Sequence, residues 1–216
     1  MGIKVVCLTS DKGLPYLPGF FHQWEKYADA VSLDVVGFTR PAFDLPYFAN
    51  FVSMGRFEDY PAYKWSNAVM EYIDGYVKED QVLIVLEDYW LIRPVNFGAI
   101  MVASNYMERN PGVMRCDLTT DRVYSNAILY DILREPDFGV TDLIETDPAG
   151  QYSFSLQAAL WNTKLFRWIL RKDESPWETE LIGTGRLAKA GSRVIGTRQN
   201  PMNYLIACNK GKFDPS

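Results

Sequence analysis

Two neighbouring carboxylates, Glu87 and Asp88, stand directly after an apolar run at residues 82–86. Five consecutive aliphatic residues predict a strand buried on both faces, of the kind found in parallel sheets between helices. Ligands of open α/β sheets bind beyond the carboxyl ends of such strands. Carboxylate oxygens can hold Mg²⁺ or Mn²⁺ there, or accept from ribose hydroxyls. We therefore predict a binding role for both residues, although one of them could instead cap the next turn or pair with Arg93.

A second group of chemical interest is the stretch SPWETE, which begins at Ser175. Ser175 is suited to be a helix N-cap, Pro176 suits the first helical position, and Glu178 completes a capping box. These three residues predict that a helix begins here, with Glu178 in a structural role.

Glu180 is not needed for that cap and turns about 200° away from Glu178 around the helix. A glutamate in this position is a candidate general base for a hydroxyl nucleophile. Trp177 beside it could stack on a sugar or a base, although a Trp at a helix start is also commonly a core residue.

The remaining pattern predicts the elements that position these groups. Apolar runs predict strands, and apolar residues at helical spacing predict helices. Strands and helices alternate along the chain, which predicts an α/β fold with a central, mostly parallel sheet flanked by helices. Strands are expected at 3–8, 31–38, 82–86, 113–118 and 153–160, helices from 65, at 97–109 and at 163–171, and an irregular excursion at 43–63.

Composition and length restrict the class of protein. The 216 residues favour one domain, and 48% hydrophobic residues indicate a folded globular chain. Scattered Cys7, Cys116 and Cys208 predict neither disulfides nor a zinc site, and the single His22 excludes mechanisms that need two imidazoles. The sequence holds no run of roughly 18 apolar residues and no signal-peptide pattern, so we expect a cytoplasmic protein without membrane contact.

Charge is distributed unevenly along the chain. Residues 1–160 carry 12 Lys/Arg and 22 Asp/Glu, whereas 161–216 carry 10 and 5, which gives −10 and +5. The C-terminal quarter could face a diphosphate or a nucleic-acid backbone, or could be an ordinary solvated basic face.

Four stretches occur in the same order as in a known group of proteins. They are VLIVLEDYWLI, SFSLQAALWNTKLFRWIL, SPWETE and NPMNYLIACNKGKF. In these the chain resembles glycosyltransferase-like proteins of GT-A fold from polysaccharide loci and phage genomes. Asp88 matches that group's DxD-type motif, here EDY, and Ser175, Pro176, Trp177 and Glu180 match its S-P-W-x-x-E motif.

The resemblance implies a single GT-A-like domain over 1–216, with a nucleotide-binding part at about 1–120 and an acceptor-side part at about 121–216. It implies transfer of a sugar from a nucleotide-sugar such as a UDP-sugar, with Glu180 as the base and Asp88 near the ribose or a diphosphate-bound Mn²⁺ or Mg²⁺. Thr9, Ser10 and Arg40 would lie near the nucleotide. Charge for the departing diphosphate would come from the metal or from Arg186, Arg193, Lys210 or Lys212.

The acceptor stays open at this stage. It could be a glycan, a protein, or a hydroxymethylated pyrimidine in phage-type DNA, in which case the enzyme would act in the host cytoplasm. Two other functions are compatible with the sequence: a non-catalytic nucleotide or nucleotide-sugar binding protein, and a nucleotidyltransferase. The turn after the first strand, residues 9–13, has no GxGxxG or P-loop pattern, which weighs against the latter.

Overall fold

The fold is built around one large sheet with helices on both faces. The computed structural model describes residues 2–119, 129–133, 143–150, 152–209 and 212–213, and only the backbone of 129–133, 209 and 212–213. Its helices are α1 (Leu17–Tyr27), α2 (Trp65–Tyr76), α3 (Phe97–Arg109), α4 (Thr163–Ile169) and α5 (Pro176–Lys189). Its strands are β1 (Ile3–Leu8), β2 (Leu33–Gly37), β3 (Ala49–Ser53), β4 (Gln81–Leu86), β5 (Tyr89–Leu91), β6 (Val113–Asp117), β7 (Leu129–Leu133), β8 (Leu143–Thr146), β9 (Ala159–Asn162), β10 (Arg193–Thr197), β11 (Tyr204–Ile206), β12 (Cys208–Asn209) and β13 (Lys212–Phe213).

Nine strands form the main sheet in the order β3-β2-β1-β4-β9-β6-β10-β8-β7. Strands β3, β2, β1 and β4 are mutually parallel, and β6 pairs with β10 in parallel. Among the described strands of this sheet, only β8 and β9 run against the common direction. The predicted central, mostly parallel sheet flanked by helices is thus confirmed.

The apolar side chains of the strands alternate between two helical layers. In β4, Leu83 and Val85 join a core formed with α1 and α3, while Val82 and Ile84 join a core formed with α2, α4 and α5. Strand residues project to opposite faces with a period of two, so a strand covered on both sides must be apolar throughout. Burial on both faces therefore explains the aliphatic run that precedes Glu87.

Two expectations for the strands were wrong. The excursion at 43–63 contains the edge strand β3, whose polar Asn50 and Ser53 obscure its pattern. The strand predicted at 153–160 begins only at Ala159, because the preceding backbone bonds to α5 instead: Phe154 N–H donates to Thr184 Oγ1 at 3.2 Å.

A second, two-stranded sheet lies beside the main one. Strand β5 follows Asp88 directly and pairs with β11 in antiparallel fashion, so Tyr204 lies opposite Leu91 and Ile206 opposite Tyr89. We call this pair the β5–β11 ribbon. Within the described part of the chain, no helix has the length and apolar character needed to cross a membrane.

Candidate functional site

The ends of β1, β2 and β4 meet at one edge of the sheet. Leu8 is in register with both Val36 and Leu86, so the residues that follow these three strands lie side by side. The Thr9 N–H donates to the Val36 carbonyl at 2.9 Å and fixes the start of the turn after β1. We refer to this margin of the sheet as the carboxyl edge.

Glu87 lies against the turn that follows β1. A Cβ at Gly13 would overlap the Glu87 carboxylate, which also lies beside the Thr9 hydroxyl. Burial raises the pKa of Glu87 to about 8, and repulsion from Asp88 adds to the rise, while a hydrogen bond with Thr9 opposes it. The Glu87 carboxyl group therefore packs against Thr9 and Gly13 in the turn that follows β1.

Asp88 is partly buried at the junction of β4 and the ribbon. Its carbonyl accepts from the Ala207 N–H at 2.8 Å, which ties the carboxyl edge to β11. Burial raises the pKa of the Asp88 carboxyl. The Tyr16 hydroxyl is hydrogen-bonded to Cys208 nearby, and this bond, followed by the charges of Asp88 and Glu87, raises the pKa of Tyr16.

The turns after β1 and β2 are joined to each other. Asp11 accepts from the Thr39 N–H at 3.0 Å and from its hydroxyl at 2.5 Å. Thr9 and Ser10 lie on the first turn and the exposed Arg40 follows Thr39 on the second. The structure thus brings the predicted nucleotide-side residues Thr9, Ser10 and Arg40 to the same edge as Glu87 and Asp88.

Helix α5 begins at the same edge, beside the start of the reversed strand β9. The capping box predicted for Ser175 and Glu178 is confirmed: Ser175 Oγ accepts from the Glu178 N–H, and the Glu178 carboxylate accepts from the Ser175 N–H at 2.8 Å. Two residues after Glu178, the Glu180 carboxylate accepts from the Leu156 N–H at 2.7 Å. A backbone donor in the segment before β9 therefore fixes Glu180.

Glu180 sits among groups that favour its ionised form, although its surroundings are poorly solvated. Burial raises the pKa of Glu180, and the Leu156 amide, the Arg115 charge and the Ser155 hydroxyl oppose that rise in this order. A carboxylate with a raised pKa is a stronger base than one in water. Glu180 thus combines a fixed position with increased basicity.

Arg115 and Asp117, on β6, form a buried pair beneath Glu180. Both side chains are almost fully inaccessible, and Arg115 Nη2 lies 3.6 Å from Asp117 Oδ1. The Arg115 guanidinium also covers the Trp161 ring, 5.3 Å from its centroid. Its Nε and Nη2 atoms have no hydrogen-bond partner among the described residues. Its charge therefore remains available to the carboxylates around it.

A chain of contacts links the surroundings of the two acids. Tyr89, next to Asp88, stacks on Tyr204 with ring centroids 4.3 Å apart. The Tyr204 hydroxyl donates to Gln157 Oε1, and Gln157 directly follows Leu156, which holds Glu180. The carboxyl edge thus contains Asp88 on one side, Glu180 on the other, and the ribbon between them.

Several predicted site residues are engaged elsewhere. Arg193 begins β10 at the opposite edge of the sheet and bonds Glu145 at 2.7 Å. Arg186 forms a two-bond ion pair with Glu174 at 2.6 and 2.7 Å. Lys210 lies outside the described residues. The structure therefore does not bring Arg193 or the Arg186 guanidinium to the carboxyl edge as free cations.

Ser175 and Trp177 lie at the start of α5, at the carboxyl edge. The Ser175 hydroxyl is used in the helix cap, as described above. Trp177 is 66% exposed, so it is not the core residue that its position also allowed. It lies one turn before Glu180, and residues three apart share a helix face.

Sequence reasoning missed Arg115, Gln157 and Tyr204. A signal existed for Arg115, because a charged residue stands inside the apolar strand that begins at Val113. Gln157 and Tyr204 are 47 residues apart, and no local pattern could have joined them.

A divalent cation is compatible with Asp88 on chemical grounds. Asp88 and Glu87 offer only oxygen donors, which suit Mg²⁺ or Mn²⁺. Within the part of the chain that is described, no group of three or more His, Cys, Asp or Glu residues could enclose a metal. A cation at Asp88 would thus be shared with phosphate oxygens and water, as is usual for Mg²⁺ in nucleotide sites.

Solved structures share this fold at low sequence identity. Residues 1–349 of S. aureus TarS align with a TM-score of 0.52 and 10% identity, over 96% of this chain and 61% of that one. UDP-glucose pyrophosphorylase complexed with UDP-glucose aligns with a TM-score of 0.51 and 12% identity, over 92% and 91%. CMP:2-keto-3-deoxy-manno-octonic acid synthetase complexed with CTP gives a TM-score of 0.49 and 10% identity, over 93% and 92%.

No protein-family model matches the chain, and no curated protein matches it by sequence. The structural similarities therefore establish the fold, and the chemistry has to be argued from the residues at the carboxyl edge.

Proposed function

We propose that the chain is a glycosyltransferase that moves a sugar from a nucleotide-sugar to a hydroxyl acceptor. The observation that carries the proposal is that two acids in different surroundings, Asp88 and Glu180, lie at the same edge of the sheet. Asp88 follows β4, and Glu180 is fixed by the Leu156 N–H at 2.7 Å. The fold shared with a pyrophosphorylase that is complexed with UDP-glucose supports a nucleotide-sugar as the ligand class.

On the donor side, the turns after β1 and β2 would contact the nucleotide. Thr9 and Ser10 offer hydroxyls, and the exposed Arg40 offers a cation. Asp88 would hold a divalent cation, which when bound neutralises the diphosphate leaving group. Since Arg186 is paired and Arg193 lies at the opposite edge, little other fixed positive charge is available from the C-terminal candidates that are described.

On the acceptor side, Glu180 would act as the general base in a direct displacement. As an acceptor oxygen forms a bond to the anomeric carbon, its proton passes to the Glu180 carboxylate and the bond to the diphosphate oxygen breaks. Base and leaving group then stand on opposite faces of the sugar, which inverts the anomeric configuration. Arg115 acts as a positioning residue, because its charge favours the ionised Glu180 that the step requires.

The exposed Trp177 ring offers a stacking surface one turn from Glu180. It suits either a sugar or a base. The cations of the C-terminal quarter weigh against DNA, because four of the described ones form ion pairs within the chain: Lys164 with Asp80, Arg167 with Asp74, Arg186 with Glu174 and Arg193 with Glu145. A glycan acceptor is therefore favoured over a hydroxymethylated pyrimidine in phage-type DNA.

The test is release of nucleoside diphosphate from a panel of nucleotide-sugars, with Glu180→Gln and Asp88→Asn as comparison variants. Donor binding has its own readout, since Cys208 is the partly exposed thiol near Asp88, whereas Cys7 and Cys116 are buried. A bound donor should slow labelling of Cys208 by a thiol reagent. Protection of Cys208 without turnover in any acceptor mixture would support the alternative of a non-catalytic nucleotide-sugar binding protein.

A nucleotidyltransferase is the other candidate, favoured by the fold shared with UDP-glucose pyrophosphorylase. Such an enzyme releases pyrophosphate from a nucleoside triphosphate rather than nucleoside diphosphate from a nucleotide-sugar. The turn at residues 9–13 has no GxGxxG or P-loop pattern that would hold a triphosphate, which disfavours this candidate. Release of pyrophosphate with a sugar phosphate as the second substrate would reverse this preference.

A further inference from the structure

A cavity of about 270 Å³ opens between the ends of β6 and β9 and the β5–β11 ribbon. Its polar lining consists of three carboxamides, Gln157, Asn200 and Asn203, and two hydroxyls, from Thr119 and Tyr204. Aliphatic side chains such as Ile206 complete the wall. None of the described lining residues is charged, although 23% of the chain is.

This lining selects a neutral ligand. A carboxamide both donates and accepts, and a hydroxyl does the same, so each can pair with an alcohol group in either sense. A phosphate or carboxylate would meet no cation among the described lining residues and would be desolvated without compensation. The aliphatic wall suits the C–H face of a ring. Neutral hydroxyl-bearing rings fit these conditions, whereas a nucleic-acid backbone does not.

The lining is held in place by its own contacts. The Tyr204 hydroxyl donates to Gln157 Oε1, and Tyr204 stacks on Tyr89. Asn203 Nδ2 donates to the Asn200 carbonyl at 3.2 Å, and the Asn203 carbonyl accepts from the Ile92 N–H at 3.0 Å. Groups fixed before binding lose little conformational freedom when a ligand arrives, which favours recognition of a small ring.

The cavity lies between the two acids. Gln157 adjoins Leu156, which holds Glu180, and Tyr204 stacks on the neighbour of Asp88. Its volume is below the roughly 300–1,000 Å³ of sites for drug-sized molecules, so it suits one ring rather than a long oligosaccharide.

We infer that this cavity binds a single neutral sugar ring through Gln157, Asn200 and Asn203. Assignment of that ring to the donor or to the acceptor rests on the proposed function, whereas binding of the ring itself does not. A donor sugar and an acceptor sugar present the same hydroxyl groups to the cavity, and the two arms of the experiment distinguish them.

The variants are Asn203→Leu and Asn200→Leu, which keep side-chain size and remove the amide, with Asn105→Leu on the exposed face of α3 as the matched control. In the first arm, methyl α-glucoside, methyl α-galactoside and methyl α-mannoside are measured by saturation-transfer NMR. In the second arm, affinities are measured for UDP-, GDP- and ADP-glucose and for each free nucleoside diphosphate. Far-UV circular dichroism and thermal midpoints identify any variant that fails to fold, in which case the other variant serves.

We expect at least one methyl glycoside to bind the wild type, and about a three- to tenfold loss in each cavity variant but none in Asn105→Leu, as for one hydrogen bond removed. If the cavity takes the donor sugar, affinity for one nucleotide-sugar also falls while that for its free nucleotide does not. If it takes the acceptor, affinity for nucleotide-sugars is unchanged.

The inference is overturned if folded cavity variants bind every sugar and nucleotide-sugar as the wild type does, or if no glycoside binds and no nucleotide-sugar affinity changes. Glycoside binding that is lost in the cavity variants, in a chain that binds no nucleotide, would preserve the inference and remove the proposed function.

Discussion

The surroundings of Asp88 and of Glu180 differ in the group that adjoins each acid, a second carboxyl group in one case and a guanidinium in the other. Asp88 stands beside Glu87, a second acid whose pKa is raised to about 8 by burial and by Asp88 itself. Glu180 receives the Leu156 N–H at 2.7 Å and the field of the buried Arg115. Asp88 therefore adjoins a second carboxyl group whose ionisation it opposes, whereas Glu180 adjoins a cation that favours its own ionised form.

This difference indicates different roles. Two adjacent carboxyl groups gain from a bound metal ion, because its charge favours the ionised form of both and offsets the repulsion between them. A carboxylate held by a backbone donor is fixed in direction, and the Leu156 amide and the Arg115 charge favour the ionised form that a base requires. Four substitutions test the comparison, beginning with the largest expected effect.

Replacing Glu180 with Gln should lower kcat by about a hundred- to ten-thousandfold, because the general base is lost while its shape is kept. Stability should not fall at pH 8. Burial raises the pKa of Glu180 in the folded chain, so the folded state favours the neutral form, and that contribution is lost as pH rises through the folded pKa. Gln stays neutral at every pH.

The measurements for this variant are single-turnover rates and urea unfolding at pH 5 and pH 8. Glu25→Gln, on an exposed position of α1, is the matched control and should keep full activity. A Glu180→Gln enzyme with more than half of the wild-type kcat would show that the base lies elsewhere.

Replacing Asp88 with Asn should lower kcat/KM at least about a hundredfold and abolish the dependence of the rate on Mn²⁺ or Mg²⁺, because a cation's stabilisation of the leaving group is worth several kcal/mol. Metal titrations of the initial rate provide the measurement. Asp44→Asn, at an exposed position, is the control. An unchanged metal response in Asp88→Asn would assign the cation to other residues.

Replacing Arg115 with Met should cost about 2 kcal/mol of stability, since a buried partner of Asp117 is lost. The cost should stay below the roughly 3–5 kcal/mol of a stranded buried charge, because Asp117 also accepts from the Thr119 N–H at 3.0 Å and its hydroxyl at 2.8 Å.

The contribution of Arg115 to catalysis is tested separately, by the pH dependence of kcat/KM in the Arg115→Met variant. The Arg115 charge opposes the rise in the pKa of Glu180, so its removal should move the acidic limb of the kcat/KM profile to higher pH. Arg115→Lys should restore most of that limb. A profile identical to that of the wild type, with stability alone reduced, would limit Arg115 to a structural role.

Replacing Ser175 with Ala should cost about 1 kcal/mol, as for other helix N-caps. Hydrogen bonds from Ser175 lower the pKa of Glu178, so the stability that this pair provides is present above the ordinary carboxyl range and is lost as pH falls through the folded pKa. The difference between wild type and variant, measured by urea unfolding, should therefore narrow in acid. Ser175→Asn should recover most of the loss, and an equal loss in both variants would contradict the cap.

Local sequence patterns were sufficient for the elements on which Asp88 and Glu180 stand. The aliphatic run before Glu87, the helix at Phe97–Arg109 and the capping box at Ser175 follow from neighbours a few residues apart. The pairs that complete the site are distant in sequence. Arg193 meets Glu145 across 48 residues and Tyr204 meets Gln157 across 47, and only the folded sheet determines such pairs.

The antiparallel direction of β9 explains why the sequence pattern does not predict the role of the residues that precede this strand. Parallel strands bring the residues that follow them to the carboxyl edge, whereas an antiparallel strand brings the residues before it to that edge. Leu156 and Gln157 lie at that edge for this reason, and the bonds from their N–H groups to the side chains of Glu180 and Ser155 are not visible in a local pattern of apolar residues.

The contact between Gly19 and Trp90 has a consequence for how the molecule adapts to its ligand. The Trp90 indole occupies the space that a side chain at position 19 would need, so the ribbon and α1 are seated directly on each other. Neither element can shift without moving the other, because close packing of this kind resists small displacements. We therefore expect adaptation to ligands of different size at the exposed Trp177 indole rather than where the ribbon meets α1.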